Sequence, residues 1–326
     1  MAVNNVVRIG IIGCGALGAV HARRLSEMEG VAITAVSDPN PEAMARVAGP
    51  LGASTMSEQD YHELLKSGLD AVCIASPDSF HVVQILDALD AGLHVLCEKP
   101  LTLEPTELQA VVDRRDRTGL HVSMTYPRRY GGGIRAMRNE FLSGQWGAIK
   151  MITAYNTEDW LTPNIGQWRH DPKLCPGGFL HDANGHQIDT ILWAGGLDVE
   201  SVFAEVENRG TPVPIVIWGS ARLTGGIPMS FTFVGDGHLW REQVNFHCEK
   251  RDFVMDNGRT LWNVDGKLVP VAPDERWESS DAAFIRLIRG EGPNWSPPEE
   301  FWPVLRFTRA ALESGARRVP VTVPPR

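Results

Sequence analysis

The fold is decided by the stretch Val7-Arg8-Ile9-Gly10-Ile11-Ile12-Gly13-Cys14-Gly15-Ala16-Leu17-Gly18, near the start of a 326-residue chain. Its first half is mostly apolar and β-branched, which predicts a buried strand over Val7–Ile12. Its second half is a G-x-G-x-x-G run that leads into the helical pattern of Leu17–Met28. Between a strand and a helix, such a run permits a tight turn and a close approach of a phosphate to the backbone. The stretch therefore predicts a phosphate-binding strand–loop–helix unit.

An acidic residue, Asp38, ends the next predicted strand, twenty residues after Gly18. An acid at this point can bond the adenosine ribose 2′-hydroxyl, and its charge repels a 2′-phosphate. This favours NAD as the cofactor, with NADP as a possibility. The loop residues predicted to hold it are Gly13, Cys14, Gly15, Ala16, Leu17 and Gly18. The alternatives are a glycine turn without cofactor or one that holds FAD or S-adenosylmethionine, and Asp38 could simply cap the helix that begins at Pro41.

Outward from the loop, short apolar runs alternate with helical patterns, which predicts a doubly wound parallel α/β sheet. Residues 1–126 are therefore predicted to form a Rossmann domain. Its predicted strands are Val7–Ile12, Ala32–Ser37, Ala71–Ala75, His94–Cys97 and His121–Thr125. Its predicted helices are Leu17–Met28, Pro41–Val47, Glu58–Lys66, Phe80–Ala91 and Pro105–Arg117.

Residues 127–326 have a different pattern and are predicted to form a second domain. A loop over Pro127–Gly133 precedes a predicted helix at Ile134–Leu142 and a strand at Ala148–Asn156. Successive strands with turn signals then extend from Val199 to about Val269, which predicts a largely antiparallel sheet. The tail is predicted to contain helices near Ala282–Arg289 and Phe301–Ser314.

The composition excludes several classes of protein. The chain carries 31 Lys and Arg against 40 Asp and Glu, a net charge of −9, and this argues against nucleic acid as a partner. Its five cysteines are scattered, without a C-x-x-C pair, which fits a reducing compartment. No basic and apolar leader and no membrane-length apolar run is visible in the sequence. We therefore expect a cytoplasmic protein without a membrane partner.

A second informative segment runs from Gly177 to Asp189. If it is one helix, Asp182, His186 and Asp189 fall at i, i+4 and i+7 and share a face. A carboxylate one turn from an imidazole can orient it for proton transfer near neutral pH. The structural alternative is an aspartate cap with a core histidine. A metal is disfavoured, because His181 and His186 would point in different directions on one helix.

The turn Glu98-Lys99-Pro100 ends a predicted strand. In a doubly wound sheet the carboxyl ends of the strands face the ligand, so Lys99 would project towards the cofactor. The alternative, a surface lysine in a turn, is equally consistent with position alone.

Taken in order, the glycine loop, Ser76-Pro77 with His81, Glu98-Lys99-Pro100, and Gly177-Gly178 leading to Asp182 and His186 resemble the glucose–fructose oxidoreductase/inositol dehydrogenase (Gfo/Idh/MocA) family. The resemblance covers the whole chain. It implies an N-terminal Rossmann domain and a C-terminal α/β domain with a large, open-faced, mostly antiparallel sheet. Because that sheet commonly forms the oligomer interface, it also implies a homo-oligomer, a dimer or a tetramer.

The resemblance implies roles for individual residues. Lys99 matches the lysine that hydrogen-bonds the reacting oxygen, and His186 matches the acid/base that takes the hydroxyl proton while hydride goes to nicotinamide. Asp182 matches the acid that assists the histidine or holds the substrate. The residues implied to lie along the cofactor are Ser76, Pro77, His81, Glu98 and Lys99. Arg129-Tyr130 resembles an Arg-aromatic pair that follows the sixth strand in many members.

The chain departs from the family pattern at three points. Asn184 stands where a glycine usually follows the motif aspartate, His181 is atypical, and Tyr126-Pro127 replaces Asn- or Gln-type residues. Four residues are candidates for substrate binding, because tryptophan faces suit sugar rings and guanidinium groups suit hydroxyls or anions. They are Arg129, Trp160, Trp168 and Arg169. Trp160 and Trp168 are equally consistent with core or interface positions.

The sequence thus predicts an NAD-dependent dehydrogenase that oxidises a secondary hydroxyl of a sugar, cyclitol or similar polyol, or reduces the ketone. One alternative is an enzyme that oxidises a sugar nucleotide or glycoside transiently before another reaction. The other is a nucleotide-binding regulatory protein without turnover.

Overall fold

The computed structural model describes residues 6–52, 55–274 and 277–325. These form two compact units, and the first continues to Pro127. The segment Glu278–Glu299 belongs to this first unit as well.

That returning segment corrects the prediction that everything after residue 126 forms one domain. The reason is apolar burial: Phe284, Ile285 and Leu287 are part of the same core cluster as the first strand and the first helix. The second unit consists of Arg128–Trp277 and the chain from Glu300 onward.

The first unit contains a six-stranded sheet. Its strands are β1 (Val7–Ile12), β2 (Val31–Ser37), β3 (Met56–Glu58), β4 (Ala71–Ile74), β5 (His94–Glu98) and β6 (Val122–Thr125). All neighbours pair in parallel in the order β3-β2-β1-β4-β5-β6, which is the order of a Rossmann fold. The predicted fold is confirmed. The helix predicted near Glu58–Lys66 is present but begins later, at Tyr61, because β3 ends at Glu58 and the helix is capped by Asp60.

The helices of this part are α1 (Ala16–Ser26), α2 (Pro41–Leu51), α3 (Tyr61–Leu65), α4 (His81–Asp90) and α5 (Pro105–Thr118), with a 3₁₀ turn at Asp78–Phe80. Capping residues and a glycine explain where several of these helices begin or end. Asn40 caps α2, Asp60 caps α3, and α5 ends at Gly119 in the left-handed conformation.

The remaining helices are α6 (Gly132–Leu142), α7 (Leu161–Asn164), α8 (Gly178–His181), α9 (Gly185–Gly195), α10 (Ser280–Ile288) and α11 (Trp302–Arg317). Further 3₁₀ turns occur at Pro127–Tyr130, Trp168–His170 and Pro298–Phe301. The turn at Pro127–Tyr130 and α6 replace most of the loop predicted over Pro127–Gly133. Across the described part of the chain, no helix has both the length and the apolar character needed to span a membrane.

The second unit contains a nine-stranded sheet. Its strands are β7 (Ile149–Asp159), β8 (Val199–Glu207), β9 (Val216–Leu223), β10 (Ile227–Val234), β11 (Asp236–Cys248), β12 (Asp252–Asp256), β13 (Arg259–Val264), β14 (Lys267–Pro270) and β15 (Val321–Thr322). The order is β14-β13-β12-β11-β7-β10-β9-β8-β15. β7 and β10 pair in parallel and the other pairs are antiparallel. The mostly antiparallel second sheet is confirmed.

The two faces of this sheet differ. On β7, Ile152 and Ala154 are buried, and helices α9 and α11 belong to the same unit. On the other face of β7, Met151 and Tyr155 are 38% and 39% exposed. Residues that pair across neighbouring strands point to the same side, so this open face extends along the sheet.

Candidate active site

The glycine loop between β1 and α1 has the shape of a phosphate cradle. Gly13 has a φ of +93°, and a Cβ there would lie 2.6 Å from backbone atoms of Ala75 and Ser76. A Cβ on Gly18 would overlap the carbonyl oxygen of Gly13, because α1 packs directly on the loop. At Gly15, the N-cap of α1, a Cβ would meet no atom within 4 Å. The loop therefore leaves room at the start of the helix, which fits a dinucleotide pyrophosphate.

Asp38 ties the end of β2 to this loop. Its Oδ2 accepts a hydrogen bond from the Cys14 N–H at 2.8 Å, and its Oδ1 accepts one from the Asn40 N–H at 2.8 Å. Because the side chain of Asn40 caps α2, the alternative that Asp38 is the cap is wrong. Each carboxylate oxygen has a further lone pair, so Asp38 can still accept from a ribose hydroxyl.

His81 joins the turns that follow β4 and β5. Its Nδ1 lies 2.7 Å from the Pro100 carbonyl oxygen, and its Nε2 lies 2.8 Å from the Ser76 carbonyl oxygen. Burial lowers the pKa of His81, although both carbonyl contacts favour the protonated ring. The ring therefore holds the two turns together. The prediction that Ser76, Pro77 and His81 also line the cofactor stays a prediction.

Lys99 lies at the carboxyl end of β5, as predicted, and is 8% exposed. Its backbone N–H donates to Glu98 Oε2 at 3.2 Å and to the Thr125 hydroxyl at 3.3 Å. The peptide bond to Pro100 is cis. The start of the Lys99 side chain is thus fixed by two strand ends.

Two residues that sequence reasoning missed, His21 and Asp281, form a buried cluster with Glu98. His21 Nε2 lies 2.9 Å from Glu98 Oε1, and His21 Nδ1 lies 2.5 Å from Asp281 Oδ1. Burial lowers the pKa of His21, but hydrogen bonds and charge attraction from Asp281 and Glu98 raise it more strongly, to about 9. Burial raises the pKa of Glu98, but the interactions with His21 and Lys99 lower it overall. The only sequence signal was the position of His21 on the glycine-loop helix.

In the second unit, the segment Gly177–Asp189 is not one helix. α8 ends at His181, Asp182 has φ −73° and ψ −88°, and α9 begins at Gly185. The prediction that Asp182 and His186 share one helical face is therefore wrong. Asp182 stands in the break between the two helices.

The carboxylate of Asp182 is nevertheless held firmly. Its Oδ2 accepts from the indole Nε1 of Trp160 at 2.9 Å and from Arg169 Nε at 2.7 Å. Asp182 and Trp160 are each 5% exposed, and the Arg169 guanidinium lies 4.3 Å from the Trp168 ring centroid. Three predicted substrate residues therefore form a cluster around Asp182.

His186 lies in the first turn of α9 and its side chain is partly exposed. Its backbone N–H donates to the Ala183 carbonyl at 3.3 Å, and its carbonyl accepts from the Thr190 hydroxyl at 2.7 Å. The backbone that carries the imidazole is thus fixed on both sides, and Nδ1 of the ring is buried.

Asn184, which replaces the expected glycine, has an ordinary φ of −71°. Its Oδ1 accepts from the Asn156 amide at 2.8 Å, and both residues are buried. This departure from the family pattern therefore adds a side-chain bond between β7 and the segment before His186.

Arg129 and Asp189 form an ion pair in which each side chain is 1% exposed. Arg129 Nε lies 3.1 and 3.0 Å from the two carboxylate oxygens, and its Nη2 also contacts Oδ1. The guanidinium further donates to the Glu300 carbonyl at 3.2 Å. Because this group is buried and occupied, the prediction that Arg129 binds substrate is corrected to a structural role. Asp189 lies within α9, so the pair ties this helix to the turn that carries Arg129.

His181 is 1% exposed, and its ring centroid lies 6.3 Å from that of Phe301. It is therefore a core side chain. Within residues 6–52, 55–274 and 277–325, no cluster of three or more His, Cys, Asp or Glu side chains has the arrangement of a metal site.

Two family models match the chain. The model of an oxidoreductase family with an NAD-binding Rossmann fold matches residues 7–126, and the model of the GFO/IDH/MocA C-terminal domain matches residues 134–253.

Individual proteins of these kinds also resemble the chain in sequence or in structure. Inositol 2-dehydrogenase from Leifsonia xyli subsp. xyli is 30% identical over 64% of this chain, and the match spans 59% of that relative's length. The rhizopine catabolism protein MocA from Rhizobium meliloti is 28% identical over 94% of each chain. The structure of scyllo-inositol dehydrogenase from Lactobacillus casei with bound NAD(H) and scyllo-inositol has a TM-score of 0.81 at 20% identity, over 98% of this chain and 99% of that one.

The first unit thus has the fold, the glycine loop and the family match of an NAD-binding Rossmann domain of an oxidoreductase family. The chain belongs to the Gfo/Idh/MocA family.

Proposed function

We propose that the protein is an NAD-dependent dehydrogenase that oxidises a secondary hydroxyl of a cyclitol, sugar or similar polyol, or reduces the corresponding ketone. The observation that carries the proposal is Asp182, a buried carboxylate held by Trp160 and Arg169 directly before the turn that presents His186. When bound, NAD supplies the hydride acceptor at its nicotinamide ring. The residues that would hold it are the glycine loop and Asp38.

Two side chains of the chain would move the proton. We assign Lys99 Nζ to hydrogen-bond the reacting oxygen, and a ring nitrogen of His186 to take the hydroxyl proton as general base. Both roles follow from the family resemblance. The fixed backbones of Lys99 and His186 support them, since general bases must reach their proton at hydrogen-bond distance.

A polyhydroxylated substrate fits the chemistry around His186. Arg169 has further N–H donors besides the Nε that bonds Asp182, the Asp182 carboxylate has further lone pairs, and hydroxyl groups both donate and accept. Because a matched relative is an inositol 2-dehydrogenase, myo-inositol and scyllo-inositol are the first substrates to test.

The direct experiment measures the absorbance of reduced nicotinamide over a period on the order of minutes. Each assay contains NAD or NADP and one candidate substrate, chosen from cyclitols, aldoses, glycosides and sugar nucleotides. Net NADH from a cyclitol or free sugar supports the proposal. Substrate conversion without NADH accumulation would instead indicate transient oxidation. Tight NAD binding without conversion of any compound would indicate a regulatory protein.

We also propose that the open face of the nine-stranded sheet binds a second copy of the chain. Tyr155, Thr232, Trp218 and Glu205 pair in sequence across β7, β10, β9 and β8, so they form one row on this face. Tyr155 and Trp218 are 39% and 37% exposed, an apolar surface that pairing with another copy would cover.

Light scattering coupled to gel filtration tests this interface. The wild-type chain should elute as a dimer or tetramer, and Trp218→Glu should lower its mass towards the monomer. Leu142→Glu, a charge introduced at an exposed leucine at the end of α6, is the matched control and should leave the mass unchanged. A monomeric wild type would refute the proposal.

We propose a cytoplasmic location. All five cysteines, Cys14, Cys73, Cys97, Cys175 and Cys248, are buried free thiols, which suits a reducing compartment. Fractionation of the producing cell with an antibody against the chain tests this, and recovery outside the cytoplasmic fraction would contradict it.

A further inference from the structure

The first unit contains a buried charge cluster that the reaction described above does not use. His21 on α1, Glu98 at the end of β5 and Asp281 on α10 are 2%, 8% and 0% exposed. These residues come from three elements that are far apart in sequence. Burying two carboxylates together is unfavourable unless a cation compensates them.

The imidazole of His21 meets one carboxylate with each ring nitrogen. Nδ1 lies 2.5 Å from Asp281 Oδ1 and Nε2 lies 2.9 Å from Glu98 Oε1. Ionised carboxylates only accept hydrogen bonds, and a neutral imidazole carries one N–H. Both contacts are satisfied only when both ring nitrogens carry a proton.

We propose that His21 is a permanently protonated positioning residue that holds Glu98, and through Glu98 the backbone of Lys99, in place for proton transfer. The proposal rests on the assigned role of Lys99 and deepens it. His21 contributes the compensating charge, and Asp281 keeps it charged.

The path from His21 to Lys99 is short. Glu98 Oε1 faces His21, while Glu98 Oε2 accepts from the Lys99 N–H at 3.2 Å. Loss of the imidazolium would leave Glu98 buried without its main cation, and the carboxylate would rotate or take up a proton. Either change weakens one of the two contacts that fix the Lys99 N–H, the other being the Thr125 hydroxyl at 3.3 Å.

Other charged or titratable groups face the cluster from the surrounding elements. From α1, Arg24 Nη1 lies 3.5 Å from Asp281 Oδ2, and its side chain is 45% exposed. From β4 and β5, burial and the nearby carboxylates raise the pKa of the Cys73 and Cys97 thiols, which therefore stay neutral. Lys99 adds positive charge beside Glu98. None of these groups can replace His21 between the two carboxylates.

The protonation state is measured first, on the whole wild-type chain. In protein labelled with ¹⁵N-histidine, the His21 ring should show two protonated nitrogens at a pH of about 8, where an ordinary histidine is neutral. The signal is assigned by its loss in His21→Gln, or by its shift in Asp281→Asn if the first variant does not fold. A single protonated nitrogen at this pH would overturn the proposal.

The positioning role is measured by turnover of myo-inositol or the best polyol of the panel with NAD. His21→Gln should lower kcat on the order of 10-fold or more with little change in KM, because it displaces only Lys99, whose bond to the reacting oxygen matters most during proton transfer, and leaves the other substrate contacts in place. Asp281→Asn removes a charge that keeps His21 protonated, so this variant should stay active at low pH. The pH above which its activity falls, its alkaline limit, should be about one unit or more below that of the wild type. A purely structural cluster would lower stability without moving this limit.

His62→Gln is the matched control, since His62 also contacts a carboxylate, Asp60, but is 55% exposed. It should leave the kcat profile unchanged. Wild-type kcat in a folded His21→Gln, or an unmoved limit in Asp281→Asn, would overturn the positioning role. Unchanged turnover in Lys99→Ala would refute the proposed function instead, and the ring signal would still decide whether His21 is protonated.

Discussion

The indole Nε1 of Trp160 donates a hydrogen bond to Oδ2 of Asp182 at 2.9 Å, inside the second unit. Arg169 Nε donates to the same oxygen at 2.7 Å. A buried carboxylate held by two donors from separate segments keeps one orientation. Asp182 is therefore a prearranged acceptor beside the helix that carries His186.

Replacing Trp160 with Phe tests this arrangement. The variant keeps an aromatic ring but removes one donor, so we expect kcat to fall by about 10-fold and the free energy of unfolding by about 1 kcal/mol. Turnover and thermal unfolding measure the two effects. Trp146→Phe is the matched control, because Trp146 Nε1 donates to Glu140 at 2.7 Å in the same unit. It should lose similar stability and keep wild-type kcat, and an equal loss of kcat in both variants would contradict the role of Trp160.

Asp38 bonds the glycine loop and is proposed to bind the ribose of NAD, and a comparison of two cofactors tests the second role. In Asp38→Ala the Cys14 N–H loses its acceptor and the ribose loses its acidic partner, so NAD binding should weaken by about 10-fold or more. NADP should weaken less, because repulsion of its 2′-phosphate is also removed. Titration calorimetry with both cofactors measures the ratio. An unchanged ratio would remove the argument for NAD preference.

The Arg129–Asp189 pair is predicted to be a structural element. Asp189→Asn leaves a buried guanidinium without its counter-charge and should cost about 3–5 kcal/mol of stability. Arg317→Met, which breaks the exposed pair with Glu313, should change stability by less than about 1 kcal/mol. Denaturant unfolding gives both values. A loss in Asp189→Asn as small as that in Arg317→Met would contradict the structural role of the pair.

The stability contributed by His21 should depend on pH. Its pKa rises from the ordinary value of 6.5 to about 9 on folding, so its contribution is complete below 6.5 and is lost as the pH rises through 9. We therefore compare the free energies of unfolding of the wild type and of His21→Gln. The advantage of the wild type should be about 3 kcal/mol larger at the acid end of this window than above it. Denaturant unfolding between these limits measures the difference, and a constant difference would contradict a charged His21.

The sequence predicted the Rossmann unit closely, because its signals are local. β1 has the predicted bounds Val7–Ile12, and Gly13 and Gly18 permit the predicted tight turn and helix packing. Apolar runs and glycines report on neighbours in the chain, and a parallel sheet is assembled from such local units.

The failures involve long-range contacts or a break in a regular pattern. Nothing local connects Asp281 to His21, which lies 260 residues away in the chain. The helical spacing of Asp182 and His186 gave no warning that the helix stops between them. The residues of that break are bonded by side chains from another segment of the chain, Trp160 to Asp182 and Asn156 to Asn184.

The most direct test of the central claim, proton transfer by Lys99 and His186, is a comparison of Lys99→Ala, His186→Ala and the control His62→Ala in single-turnover oxidation of a polyol, with NAD affinity measured in parallel. We predict that both site variants lose on the order of 10²-fold in kcat while binding NAD nearly as well as the wild type, and that the control keeps full activity. Wild-type kcat in both site variants would contradict the account.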